Sequence, residues 1–243
     1  MTEQPGAPKR KLVLRVQGLT RAYEGVTALA DFDLDVARGE GVVLFGHNGS
    51  GKTTALDCIA GLLTPTGGRI RVAGADPHTE PEAAKARAAT AYVDDAPIFY
   101  RDLTVAEHVE LVAVAHGADL DDVDPLLDEL GLAEHHDHLP HQLSAGLQQR
   151  TQLACALIRP FRLILLDEPT LRLDPAGRDV LHRRLHAVKR RGRALVFSTH
   201  RPDFASGLAD RALVLSRGDV VADGPLDAVV ASPEAAAIGI TPT

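Results

Sequence analysis

The chain has 243 residues, 45% hydrophobic and 24% charged, with a formal charge of -7. A chain of this length buries a substantial core, most simply as one domain with an inserted lobe, and the composition is that of an ordinary soluble globular protein. The acidic balance argues against nucleic acid as the main partner, and the longest apolar runs, GVVLFG and RLILLD, are too short to cross a bilayer.

The opening MTEQPGAPKRK is polar and reads as a frayed tail, not a secretory leader. LVLRVQGL (12–19) and DFDLDVA (31–37) are predicted strands; in the second, Phe32, Leu34 and Val36 alternate with aspartates as a half-buried strand requires. GVVLF (41–45) is a continuous apolar run, the pattern of a strand covered on both faces. A glycine-rich loop follows at once, then a helix from Lys52 to about Leu63, the turn TPTGG (64–68) and the strand RIRVAG (69–74). A helical pattern begins near Glu82, and the short strand ATAYV (89–93) runs into the acidic loop DDAPIFYRD.

TVAEHVELVAVAHG (104–117) has Thr104 as N-cap, Glu107 three residues on and a closing Gly117, and DVDPLLDELGL (122–132) is a second short helix. LSAGLQQR (143–150) reads as a tight polar turn opening the helix that continues as TQLACALI. The remainder alternates: strand 162–167, helix 175–191, strand 194–198, helix 202–209, strand 212–216, a hairpin arm at 217–224 and one last short helix. Alternation of this kind implies an α/β core with a parallel sheet. The helical stretch from about 95 to 150 interrupts it and is expected to be an inserted lobe. Cys58 and Cys155 sit among apolar helical neighbours, which predicts two reduced, buried thiols and fits a reducing cytoplasm.

Gly46, His47, Asn48, Gly49, Ser50, Gly51, Lys52 and Thr53 match the phosphate-loop pattern G-x-x-x-x-G-K-[ST] in full, between a buried strand and a helix. Glycines let backbone N–H groups approach phosphates, and a helix N-terminus favours the anion. Lys52 is expected at the β- and γ-phosphates of a nucleoside triphosphate, and the Thr53 hydroxyl on Mg²⁺. The apolar strand RLILL ends in Asp167 and Glu168. The first carboxylate suits the Mg²⁺ shell; the second suits a general base that polarises the attacking water.

The order of these motifs resembles the nucleotide-binding subunit of an ATP-binding cassette (ABC) transporter, over nearly the whole chain. LSAGLQQR is similar to that family's signature sequence, so Ser144, Ala145 and Gly146 would contact the γ-phosphate held by another subunit's glycine loop. Tyr23 matches the aromatic on which adenine stacks, Thr54 closes the phosphate loop, and His200 stands where the family keeps its switch histidine. The fold so implied is α/β: a P-loop ATPase core with a mostly parallel sheet and an N-terminal antiparallel β subdomain (1–94 and 151–243), and an inserted helical subdomain (about 95–150) carrying the signature turn. The resemblance implies ATP and Mg²⁺ as cofactors, a second copy or homologous ATPase subunit as partner, and a separate integral membrane subunit on whose cytoplasmic face the chain would sit.

Three positions depart from the family pattern. Leu147 replaces a glutamine in the signature; Arg172 falls in the loop after Glu168, at the expected dimer seam, where it would clash or pair with an acidic group across it; and Asp95 stands where the family has a glutamine that touches Mg²⁺. The histidines of AEHHDHLPHQ (His135, His136, His138, His141) match no closed metal-site spacing and read as a solvated loop, and DLDDVD (119–124) reads as a solvated helix start. The expected function is the ATP-hydrolysing subunit of a transporter. Lack of a long C-terminal regulatory domain favours an exporter-like system over a sugar importer. The competing readings are a soluble, non-transport ABC-type ATPase, which usually carries a coiled coil or zinc insertion between its motifs, and a slow nucleotide-binding regulator, which Asp95 and Arg172 would fit.

Overall fold

Apolar runs such as GVVLF and LILL are satisfied only in a sheet covered on both sides, and the arrangement of the chain follows from that. A computed structural model describes residues 11–241; most of the expected N-terminal tail, residues 1–10, lies outside the described residues. In chain order the elements are β1 (Leu12–Tyr23), β2 (Val26–Ala37), β3 (Gly41–Gly46), α1 (Lys52–Ala60), β4 (Gly67–Val72), α2 (Glu82–Ala89), β5 (Thr90–Val93), α3 (Val105–His116), α4 (Val123–Glu129), α5 (Ala145–Ile158), β6 (Leu163–Leu166), α6 (Pro175–Arg190), β7 (Ala194–Ser198), α7 (Pro202–Ala205), β8 (Arg211–Ser216), β9 (Asp219–Pro225), α8 (Leu226–Val230) and α9 (Pro233–Ala237).

The main sheet has the order β5-β6-β7-β3-β8-β9, parallel from β5 to β8, with β9 antiparallel at one edge. A second, antiparallel sheet has the order β2-β1-β4. Side chains alternate across the main sheet. Val42 and Leu44 of β3, with Leu163 and Leu165 of β6, join β1, β2 and α1 in one apolar cluster. Val43, Phe45, Ile164 and Leu166 join α3 to α6 in the other. That alternation separates the layers: the antiparallel sheet on one face, the helices from α3 to α6 on the other. No helix among the described residues is long and apolar enough to cross a membrane.

Several boundaries differ from the sequence expectation for local reasons. α1 stops at Ala60 because Gly61 turns left-handed (φ 81°) and folds its N–H back onto Asp57 and Cys58. α7 ends at Ala205, and Gly207 takes a left-handed φ of 75° two residues on, so the helix expected to run to residue 209 is one short turn. The single expected C-terminal helix is two, because Ser232 caps a fresh start with Pro233 at its first position. Thr104 and Glu107 do form the reciprocal cap on α3. Cys58 is buried as expected, but Cys155 is partly exposed. It lies on the stripe of α5 shared with Gln152 and Arg159, which faces partly to solvent. Burial still pushes the thiols up, to about 11 for Cys58 and about 12 for Cys155, so both stay protonated.

Candidate active site

In a parallel sheet, ligands bind at the carboxyl ends of the strands. Here β6, β7 and β3 are neighbours in that order, so the segments leaving them emerge side by side: Asp167–Glu168, Ser198–Thr199–His200 and the glycine loop. The loop is tightly seated. Gly51 has φ 106°, and a Cβ there would lie 2.7 Å from the Ala28 carbonyl oxygen of β2, so only glycine fits. α1 then begins with no side-chain cap and no acidic residue in its first turn, leaving its amides for an anion. Lys52 is 6% exposed and curls back over the loop, its Nζ donating to the carbonyls of Gly46 (2.7 Å) and His47 (3.1 Å). Burial lowers its pKa against the opposing charges of Glu168 and Asp167. The buried Ser50 Oγ has no hydrogen-bond partner.

Asp167 is 1% exposed, and hydroxyls donate to it from both sides. Thr53 Oγ1 donates to its Oδ2 at 2.5 Å, and the Ser198 hydroxyl donates to its Oδ1. Ser198 Oγ in turn accepts the Glu168 N–H at 2.8 Å. Glu168 holds φ at 44°, a left-handed conformation that a residue with a side chain adopts at a cost of order 1–3 kcal/mol. Its Oε1 is buried and lies 3.0 Å from His200 Nε2, but off the hydrogen-bonding direction, so that oxygen has no hydrogen-bond partner. Burial pushes the Glu168 carboxyl up to about 7; Lys52 opposes this, and the charges of Asp167 and Asp95 add to it. Burial also lowers the pKa of His200, assisted by Lys52 and His47. Each of the two facing groups is moved toward its neutral form.

A cleft of about 460 Å³ is lined by Asn48 to Thr54, with Ala28, Asp95, Asp167, Glu168, Leu171 and His200. The donor set fits a triphosphate with Mg²⁺: an uncapped helix N-terminus and a buried ammonium for phosphate oxygens, and Thr53 and Asp167 as converging hard oxygen donors. Mg²⁺ usually keeps several waters, so two protein oxygens suffice. Among the described residues no group of three or more His, Cys, Asp or Glu side chains converges as a metal cluster; Asp95 and Asp167 line the same cleft. Asp95 is reached from β5 through a loop whose far end is pinned, the Tyr100 N–H donating to buried His108 Nε2 at 2.9 Å.

Other sequence-derived candidates lie elsewhere. Tyr23 is 43% exposed at the end of β1, outside the residues lining the cleft, with the Arg21 guanidinium 4.4 Å over its ring. Ser144, Ala145 and Gly146 open α5 outside the residues lining this cleft; Ser144 Oγ accepts the Leu147 N–H at 3.3 Å, and Ser144 and Ala145 are exposed. His135 and His138 stack edge to face at 5.3 Å, and His136 Nδ1 bonds the Ala133 carbonyl. Arg172 donates within its own chain, to the Asp95 carbonyl and to Gln149. Sequence reasoning missed Ser198. The sequence shows only a polar residue ending an otherwise apolar strand; its place in the site comes from the pairing of Phe197 with Leu166, next to Asp167.

Comparison with known proteins agrees with this geometry. The family model described as ABC transporter matches residues 29–171. An ABC transporter ATP-binding protein of Streptomyces avermitilis is 40% identical over 91% of this chain; the chain spans only 40% of that relative's length. The ABC-type transporter ATP-binding protein EcsA of Bacillus subtilis is 32% identical, over 88% of this chain and 87% of its own. A solved dimeric ATP-binding cassette in a post-hydrolysis state, bound to ADP and Pi, superposes with TM-score 0.81 at 27% identity, covering 88% of this chain and 98% of that one. This chain belongs to the ABC transporter family, and the domain it carries is that family's ATPase cassette.

Proposed function

We propose that this chain is the ATP-hydrolysing subunit of an ABC transporter, working head to tail with a second cassette beneath a separate membrane subunit. The observation that carries the reading is the hydroxyl–carboxylate network joining Thr53, Asp167, Ser198 and Glu168 at the mouth of the glycine loop. Lys52 and the α1 amides bind and orient the triphosphate. Mg²⁺, when bound at Thr53 and Asp167 with Asp95 facing the same cleft, neutralises phosphate charge. Glu168, held by Ser198 through its backbone and facing His200, takes the proton of the attacking water. His200, which lies 3.0 Å from Glu168 and whose pKa burial lowers, orients that exchange.

The Ser144 turn supports the paired reading. It is a second helix N-terminus without an acidic first turn, exposed and outside the residues lining its own chain's cleft, as a donor to another chain's γ-phosphate would be. Relatives named for export and for import share this cassette, so direction and cargo belong to the membrane subunit. Glu168→Gln tests the reading. It is expected to keep ATP affinity within a few-fold and to lose about 10²–10⁴-fold in turnover. Parent-like turnover in that variant overturns the assignment of Glu168.

A further inference from the structure

Arg172 ties together parts of the molecule that the chain places far apart in sequence. Its Nη1 donates to the main-chain carbonyl of Asp95 and, at 3.3 Å, to the side-chain Oε1 of Gln149. One guanidinium therefore joins the loop that begins at Glu168, the loop that carries Asp95 into the cleft, and the second turn of α5. Gln149 is 1% exposed, so its amide oxygen has little water to replace a lost donor. The same loop meets α5 at a second point. A Cβ on Gly146 would lie 2.9 Å from the Arg172 carbonyl oxygen, which leaves room only for glycine in the turn. At a third point Arg150 Nη2 reaches Asp174 Oδ1 at 2.6 Å, and Asp174 is the N-cap of α6. Among the described residues, Arg172 is the side chain that ties the Asp95 loop to α5 through this loop.

We propose that Arg172 is a positioning residue that locks the outward-facing Ser144 turn and the Asp95–Glu168 edge of the cleft into one unit, so that the turn a chain presents to its partner moves with the state of its own cleft. The part of this that concerns a partner rests on the in-trans reading of Ser144 given above; the lock itself does not. A planar guanidinium serves two acceptors at a fixed angle, whereas an ammonium on a flexible stem does not hold that geometry. The lock is therefore a matter of shape more than of charge.

Amide hydrogen exchange on the full chain without nucleotide tests the lock directly. Arg172→Ala is expected to raise exchange together in residues 95–100 and 144–149, leaving β3 and α1 as in the parent. Arg172→Lys is expected to restore less than half of that protection. Gln149→Ala cuts the tie from the helix side, and is expected to loosen the start of α5 while the Asp95 loop keeps its bond to Arg172. Unchanged exchange in either segment of Arg172→Ala, or full restoration by lysine, overturns the lock. The functional arm uses a Glu168→Gln background with Mg-ATP. There Arg172→Ala is expected to weaken ATP-driven dimerisation about tenfold at unchanged ATP affinity of the monomer. Equal dimerisation with and without Arg172 overturns the coupling, whereas failure of the background itself to dimerise counts against the in-trans reading alone, and the exchange data still judge the lock.

Discussion

The cleft at the end of β6 and the turn at the start of α5 are built from similar parts and left in opposite conditions. Both centre on a helix N-terminus with no acidic residue in its first turn. In the cleft, Asp167 accepts from the hydroxyls of Thr53 and Ser198, Lys52 donates to the carbonyls of Gly46 and His47, and Lys52, Asp167 and Ser198 are buried. At the turn, the Ser144 side chain accepts only the Leu147 N–H, and Ser144 and Ala145 are exposed. A buried polar network must be answered within the chain, because unpaired groups there cost about 1–3 kcal/mol each. An exposed helix N-terminus carries no such obligation, since water satisfies it. The contrast teaches that the Asp167 network is paired within the chain, while the turn is left open to water or to a partner.

The comparison breaks first if the cleft network does not hold the fold together. Ser198→Ala leaves one Asp167 oxygen and the Glu168 N–H without their partner, and is expected to cost about 1–3 kcal/mol of stability in a urea titration. Ser144→Ala, at the exposed turn, is expected to cost about 1 kcal/mol, the value of a lost N-cap. Equal losses at the two sites would erase the distinction.

A pH experiment sharpens it. The Glu168 pKa is raised from its usual 4.5 to about 7, chiefly by burial. The folded state therefore holds that proton more tightly than the unfolded one. The associated stability is fully present below about 4.5 and is lost as pH rises through about 7. Glu168→Gln is then expected to be more stable than the parent at pH 8, with the difference shrinking toward pH 4.5, as read by thermal melting across that range. The same shift predicts that kcat/KM of the parent rises through about pH 7 as the base loses its proton. A flat profile there would remove Glu168 as the titrating group.

The smallest expected effect is at Asp95, whose charge adds to the upward shift of Glu168 without being its main cause. Asp95→Gln is expected to move the midpoint of the kcat/KM profile to lower pH, to raise turnover a few-fold at neutral pH and to alter the Mg²⁺ titration. Asp95→Ala matching the parent in rate, midpoint and Mg²⁺ requirement would leave Asp95 a bystander.

Much of this was legible in the residues. The glycine loop announces itself because an apolar run, a fixed glycine spacing and a helix start are all local, and the paired carboxylates after Leu166 are local in the same way. The half-buried pattern of Phe32, Leu34 and Val36 likewise sits in one strand with aspartates between. What stayed hidden depends on contacts across the sheet or between lobes. Ser198 becomes a site residue only once β7 is placed between β6 and β3. The partners of Arg172 are invisible until the Asp95 carbonyl and Gln149, 77 and 23 positions away, are brought to it. The extra helix break at Ser232 and the exposure of Cys155 are likewise set by packing that no short window contains.

The central claim is that the cleft is one chain's and the turn serves another's. Analytical ultracentrifugation of Glu168→Gln with saturating Mg-ATP, alone and combined with Ser144→Arg, tests it most directly. The account predicts a dimer for Glu168→Gln and a monomer for the double variant, with equal ATP affinity for the two. A Glu168→Gln protein that stays monomeric, or a Ser144→Arg substitution that weakens ATP binding to the monomer, would contradict it.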